Sequence, residues 1–237
     1  MPHNRYFIDT PLQENTPVSL SGDEYHHLAR VSRIKKGEKL ELVNGKNQLA
    51  VATVLELQKN HAALQITHVV EKTPPPPLIL AQAITRMNHL EWIVEKAVEL
   101  NATALWLFPG NLSEKDLLSH NQQERLKHLS ISAMKQCGRL DLPEILLKAP
   151  LTEWKPIEGT LLFGDTSEDA PYFWDAKLPK ALPSPIVLFI GPEKGFDPKE
   201  VSFLTQTLKA KGIRLHPNIL RAETAPLVGL SLIQSLI

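Results

Sequence analysis

The chain has 237 residues, with 26 Lys plus Arg against 26 Asp plus Glu, so its formal net charge is zero. Hydrophobic residues make up 43% and charged residues 22%, an ordinary globular composition with room for one or two domains and a sizeable core. This balance excludes a strong, indiscriminate nucleic-acid binder but not a local basic face; no apolar run approaches the ~20 residues of a membrane helix, and the single cysteine excludes an internal disulfide.

The start, Met1-Pro-His-Asn-Arg-Tyr6, lacks the apolar core of a signal peptide, which implies a cytoplasmic protein with no membrane partner. Arg30, Arg33, Lys35, Lys36 and Lys39 crowd one short region beside His26 and His27. On charge alone they suit a solvated surface as well as a phosphate-binding face. Lys39–Val43 alternates, Asn44-Gly45 is a hairpin signal, and Gln48–Leu57 continues the alternation. A further strand is predicted over Ala62–Val70. Residues 1–72 therefore read as a small β-barrel domain. Thr73-Pro-Pro-Pro-Pro77 marks its end, because four prolines in a row fit neither a helix nor a central strand and favour a stiff, extended linker over 73–77.

From 78 to 237 the pattern changes to alternating strands and helices, which predicts an α/β domain with a mostly parallel sheet covered on both faces. Strands are predicted at Leu78–Ile84, Ala104–Phe108, Thr160–Phe163, Ile186–Ile190 and Ile213–Leu215. Helical spacing runs over His89–Leu100, with Leu90, Ile93, Val94, Ala97 and Val98 on one face. A second helix covers Gln122–Cys137, stopped by Gly138, with Cys137 as a small buried hydrophobe. Residues 167–185 are rich in Pro, Asp and Lys and read as a loop-bearing segment. Asp197 is placed to cap a helix with Pro198 at its first position and Glu200 at capping-box spacing, ending near Gly212. An apolar helix from about Glu223 closes the chain.

Two loops carry the functional signal. The buried strand Ile186–Ile190 runs into Gly191-Pro-Glu-Lys-Gly-Phe196, and a short strand runs into Leu215-His-Pro-Asn-Ile-Leu-Arg-Ala-Glu-Thr-Ala225. Loops of successive strand–helix units meet at one edge of a parallel sheet, where α/β folds hold ligands. The first loop has neither the P-loop spacing nor the three spaced glycines of a dinucleotide site. An ordinary strand–turn–helix junction uses Gly and Pro in the same way. The second loop must bury Ile219 and Leu220, and its free backbone N–H and C=O groups suit an adenine edge.

Gly191-Pro-Glu-Lys-Gly-Phe and Ile219-Leu-Arg-Ala-Glu-Thr-Ala resemble the two signature loops of the RsmE family, the 16S ribosomal RNA uridine-N3 methyltransferases of the SPOUT class. The resemblance extends over nearly the whole chain. Arg5-Tyr-Phe7, the stretch from His26-His27 through Val31-Ser-Arg33 to Gly37, Glu95-Lys-Ala-Val-Glu-Leu100 and Lys135-Gln-Cys-Gly-Arg139 all resemble family segments. Three positions depart from the pattern: Lys194 and His216 stand where Gly is usual, and Asn101 replaces the Gly after Glu-Leu.

The resemblance implies an N-terminal PUA-like β-barrel, a C-terminal SPOUT-type parallel sheet with a deep trefoil knot, and a homodimer that uses the last helix. It implies an S-adenosylmethionine pocket including Ile190, Gly191, Gly195, Leu215, Ile219, Leu220, Thr224 and Ala225. Arg221 and Glu223 are the implied catalytic pair. Arg5, His26, Arg30, Arg33, Lys36, Lys96 and Arg139 are the implied contacts to 16S ribosomal RNA or the small ribosomal subunit. No metal is implied. Two other readings stay open: a non-catalytic RNA-binding ribosome-assembly factor, which Lys194 favours, and a ribose 2′-O-methyltransferase.

Overall fold

The computed structural model describes residues 4–179 and 182–237. Two compact units emerge, one of residues 1–74 with 131–142 and the other of 75–130 with 143–237. Residues 131–142 cluster with the first unit, and the boundary between the units falls within the proline run, between Pro74 and Pro75.

In the first unit, β1 (Arg5–Phe7), β2 (Pro17–Ser21), β3 (Lys39–Val43), β4 (Gln48–Leu57) and β5 (His61–Glu71) form one sheet in the order β1-β3-β4-β5-β2. β1 runs parallel to β3, and the remaining pairs are antiparallel. Register shifts between Val51 and Ala52 and between Val54 and Glu56 curl the long β4–β5 ribbon, as bulges do. Alternate residues point inward, as the period of two requires: Leu40 and Leu42, then Ala50, Ala52 and Val54, then Ala62, Leu64 and Ile66 form one buried cluster with Tyr6 and Leu28. Between β2 and β3 lie α1 (Gly22–His26) and a π-turn over His27–Ser32. Neither these nor β1 and β2 were predicted. They are short, and a three-residue strand shows no readable alternation.

The second unit holds a six-stranded, wholly parallel sheet. Its elements are β6 (Leu78–Ala83), α2 (Met87–Glu99), β7 (Ala104–Phe108), α3 (His120–Cys137, which crosses the division), β8 (Glu144–Leu147), β9 (Thr160–Gly164), β10 (Ile186–Ile190), α4 (Pro198–Ser202), β11 (Lys211–Ile213) and α5 (Ala225–Gln234). Strand order is β11-β9-β10-β6-β7-β8. The central strands β6 and β10 are buried along their full length, so they read as near-continuous apolar runs, interrupted only by Gln82, rather than alternating ones. Their side chains still alternate between two cores. Leu78, Leu80, Ile186, Leu188 and Ile190 join Leu90, Ile93 and Val94 of α2 and Leu230 and Ile233 of α5. Ile79, Ala81, Val187 and Phe189 face the opposite way and join Leu204 and Leu208, which follow α4. Truncating Leu188, fully buried in the first of these cores, costs about 2–5 kcal/mol on general grounds.

Four expectations change. Cys137 is exposed, because it lies at the end of α3 past the buried Ile131, Ala133 and Met134. The helix after Asp197 is one α-turn, α4, followed by a π-turn over Phe203–Thr207. β11 covers Lys211–Ile213 instead of Ile213–Leu215, because Arg214 pairs instead with the connecting segment: its N–H donates to Pro171 O at 2.8 Å, and its carbonyl accepts from Phe173 N at 3.0 Å. The last helix begins at Ala225. The capping box at Asp197 is present in full: its carboxylate accepts from Glu200 N at 2.8 Å, and Glu200 Oε2 accepts from Asp197 N at 3.0 Å.

Candidate active site

All six strands of the second sheet point the same way, so their C-terminal ends share one edge. There the ends of β9 and β10 and the loop after β11 enclose a cleft of about 270 Å³. Its apolar lining comes from Phe163, Ile190, Leu215, Leu220, Ala222 and Ala225, and its polar lining includes Asp165, Glu193, Arg214 and His216. Ile219, expected to be buried, is instead 79% exposed: it lines the cleft as an apolar side chain that solvent still reaches.

The first loop is held tightly. Gly191 has no room for a side chain: a Cβ there would lie 3.0 Å from both the Gly195 carbonyl carbon and the Phe196 nitrogen. Gly195 turns the chain with φ of +76°, a conformation Gly adopts freely. Gln82, buried on central strand β6, donates from Nε2 to Gly191 O at 3.3 Å and to Ala83 O at 3.0 Å, and its Oε1 has no protein partner. Glu193 reaches the start of α2, where its Oε1 accepts from Arg86 N at 3.1 Å and lies 3.3 Å from His89 Nδ1. A carboxylate is favoured there by the free N–H groups and the dipole of a helix N-terminus. The Arg86 guanidinium is forked onto Glu114 at 2.8 and 2.9 Å, and this hydrogen bonding raises the pKa of Arg86 and lowers that of Glu114. On the far side, Asn111 ties the turn after β7 to the α4 cap, through its N–H to Glu200 Oε1 at 3.0 Å and its amide to Asp197 Oδ2 at 2.7 Å.

The second loop folds on its own side chain. His216 Nδ1 accepts from Asn218 N at 3.1 Å, which places the imidazole proton on Nε2 when the ring is neutral. Glu223 Oε2 lies 3.7 Å from His89 Nδ1, and its Oε1 is 3.9 Å from Arg221 Nη1. The Arg221 side chain is 84% exposed, and a pair so open to solvent contributes only ~0–1 kcal/mol.

Of the residues expected at the cofactor, Ile190, Gly191, Gly195, Leu215, Ile219, Leu220 and Ala225 line the cleft. Thr224, Arg221 and Glu223 are not part of the lining; Arg221 and Glu223 form the charged pair described above. Sequence reasoning missed Gln82, His89, Asp165 and Glu193. Gln82 had a signal, as the one polar residue in an otherwise apolar run; His89 sits among ordinary helix residues and had none. The departures from the family pattern are accommodated. Lys194 and His216 do not take a positive φ, whereas Asn101 does at 61°, a region Asn tolerates.

The residues expected to hold RNA fall into two groups. His26, Arg30, Arg33 and Lys36 are exposed on the first unit. The other three already have partners: Arg5 meets Glu41 at 2.8 Å, buried Arg139 donates from Nε to Asp141 at 3.2 Å, and Lys96 lies 2.7 Å from both Glu95 and Glu99 with its ammonium over Trp92. Among the described residues there is no cluster suited to a metal ion, and no helix is long and apolar enough to cross a membrane.

Comparison with known proteins fits this geometry. Residues 72–234 match the family model for the RNA methyltransferase domain, and residues 20–67 match the RNA methyltransferase PUA domain. Fold and site thus define an RNA methyltransferase with a PUA-type unit ahead of its α/β domain. Ribosomal RNA small subunit methyltransferase E of Synechocystis is 32% identical over 93% of the chain and 73% of the relative. The protein of that name from Rickettsia conorii is 28% identical over 100% of the chain and 97% of the relative. The Neisseria gonorrhoeae enzyme of that name, solved bound to S-adenosylmethionine, superposes with a TM-score of 0.86 at 28% identity, covering 100% of this chain and 98% of that one. A Legionella pneumophila methyltransferase solved with the same cofactor gives a TM-score of 0.87 at 26% identity, covering 98% and 96%. The chain belongs to the ribosomal RNA small subunit methyltransferase E family.

Proposed function

We propose that this protein methylates N3 of a uridine in 16S ribosomal RNA of the small ribosomal subunit, with S-adenosylmethionine as methyl donor. The observation that carries this reading is the cleft at the ends of β9 and β10, whose chemistry suits that cofactor. Ile190, Leu215, Leu220 and Ala225 offer an apolar bed for an adenine ring, and the carboxylates of Asp165 and Glu193 suit a cationic ligand. The family's deep trefoil knot, in which this cleft would lie, belongs to the same proposal. Lys194, the residue that favoured a non-catalytic assembly factor, sits in an ordinary backbone conformation and gives that alternative no support.

S-adenosylmethionine supplies a methyl group activated by a positively charged sulfur. The chain must hold it still, keep water away and align the attacking base. Gly191 and Gln82 fix the first loop, and Leu215 and Leu220 shield the apolar side of the cleft. Neutral uridine N3 carries a proton and is a poor nucleophile, so the site must favour its loss and stabilise the uracil anion. The Arg221 guanidinium provides the compensating positive charge, and Glu223 holds it in place. N3 lies on the pairing edge of the base, so the uridine is presented unpaired. The exposed His26, Arg30, Arg33 and Lys36 supply phosphate contacts, with Arg5, Lys96 and Arg139 contributing where RNA displaces their present partners. The protein works in the cytoplasm as a homodimer. Leu230 and Ile233 are core residues, so the dimer contact on α5 falls to the partly exposed Leu227, Val228 and Leu232.

Replacing Arg221 with Ala tests this chemistry. Methyl transfer to small-subunit RNA is expected to fall about 10²–10³-fold, the loss typical of removing one charge-stabilising group, while calorimetric binding of S-adenosylmethionine is retained. Unchanged turnover would remove Arg221 from the mechanism.

A further inference from the structure

One side chain outside both signature loops joins them. His89, on the first turn of α2, directs Nδ1 at Glu193 Oε1 of the first loop (3.3 Å) and at Glu223 Oε2 of the second (3.7 Å). The three side chains are only 25%, 26% and 18% exposed, so the cluster is shielded from solvent far more than Arg221 is. Ionised carboxylates only accept hydrogen bonds, so Nδ1 must be the nitrogen that carries the proton here. Glu193 Oε1 is within hydrogen-bond reach of that proton, whereas Glu223 Oε2, at 3.7 Å, pairs with the imidazole by charge when the ring is protonated. Glu193 Oε1 also accepts from Arg86 N at 3.1 Å and keeps one donor without the imidazole. Among the described residues, the other charged group beside Glu223 is the exposed Arg221 guanidinium at 3.9 Å.

We propose that His89 is a positioning residue for methyl transfer. It fixes the Glu223 carboxylate against the first loop, and through Glu223 it sets where the Arg221 guanidinium stands. The inference rests on the proposed role of Arg221 and Glu223. It places the determinant of rate on α2, outside the segments that line the cleft.

The asymmetry between the carboxylates defines the test. His89→Ala should lower the single-turnover rate about tenfold and leave the dissociation constant for S-adenosylmethionine within about threefold, since Glu193 keeps its backbone donor. His89→Asn should recover most of the rate, because its Nδ2 reaches the position of the imidazole Nδ1 and donates two hydrogens. Glu223→Gln should be slow, and adding His89→Ala to it should cost little more, since residues acting as one unit are non-additive. Melting temperatures of all four variants identify any that fail to fold. A wild-type rate for His89→Ala, equal losses for the Ala and Asn variants, or losses that multiply in the double variant would each overturn the proposal. If the wild-type chain itself transfers no methyl group, the functional reading fails, and the positioning role fails with it. If the wild type is active and only the His89 series deviates, the positioning role alone is refuted.

Discussion

The two sheets of this molecule use strands in opposite ways. In the first unit most neighbours are antiparallel, so successive strand ends lie at opposite edges and no edge collects them. The second sheet is wholly parallel, so the ends of β9, β10 and β11 gather at one edge, and the loops leaving them wall the cleft. The first unit presents exposed basic side chains, while the second unit holds the cleft, the two loops that leave β10 and β11, and the His89–Glu193–Glu223 cluster. In this chain, strand direction decides which sheet builds a small-molecule site and which is left to offer a surface.

That division of labour can be broken experimentally. The largest effect is expected at Gly191. A Val there must push into the backbone of Gly195 and Phe196, and overpacking of about 1–3 kcal/mol corresponds to roughly 5–150-fold weaker S-adenosylmethionine binding by calorimetry, with RNA affinity unchanged. Equal loss of RNA binding would show that the two surfaces are not separable. Arg33→Ala acts on the other side of the comparison. The slope of log affinity against log salt for small-subunit RNA should flatten by about 0.7–0.9 for one lost phosphate contact, with cofactor binding intact. An unaltered slope would take Arg33 out of the RNA surface. The smallest effect is expected at Asp197, which caps α4 and bears on neither ligand directly. Asp197→Ala should cost about 1 kcal/mol, a shift of roughly 2–4 °C in Tm for a chain of this size.

The same residue carries a pH dependence. Burial pushes the Asp197 carboxyl up, but hydrogen bonds from Glu200 N, the Asn111 amide and Lys199 N outweigh it and hold the pKa below its ordinary value. The stability it contributes is therefore present above the ordinary carboxylate range and lost as pH falls through the lowered folded value, and the Ala variant should lack that acid limb.

Much of the architecture was legible because apolar pattern and punctuation agreed. Gln48–Leu57, Ala104–Phe108 and Ile186–Ile190 begin and end as strands where the sequence places them, and Asp197-Pro-Lys-Glu200 forms its capping box. Elements too short to repeat their period, such as the three-residue β1, left no readable alternation. The end of β11 was misplaced because Ile213 and Leu215 are both buried, one in the strand and the other in the cleft wall, and burial alone does not distinguish the two roles. The site was legible where unusual loops carry it. Asp165 and Glu193 were missed because a carboxylate beside a turn looks like any surface acid. His89 was missed because its significance lies in two contacts, each made to a residue more than 100 positions away.

The most direct test of the central claim is to incubate the wild-type protein with small ribosomal subunits lacking the modification and methyl-labelled S-adenosylmethionine, then digest the RNA and identify the labelled nucleoside by mass spectrometry. The account predicts label in 3-methyluridine of 16S ribosomal RNA, with transfer by Gly191→Val lowered roughly 5–150-fold at subsaturating donor. Label confined to a ribose 2′-oxygen, or tight donor binding with no transfer to RNA, would contradict it.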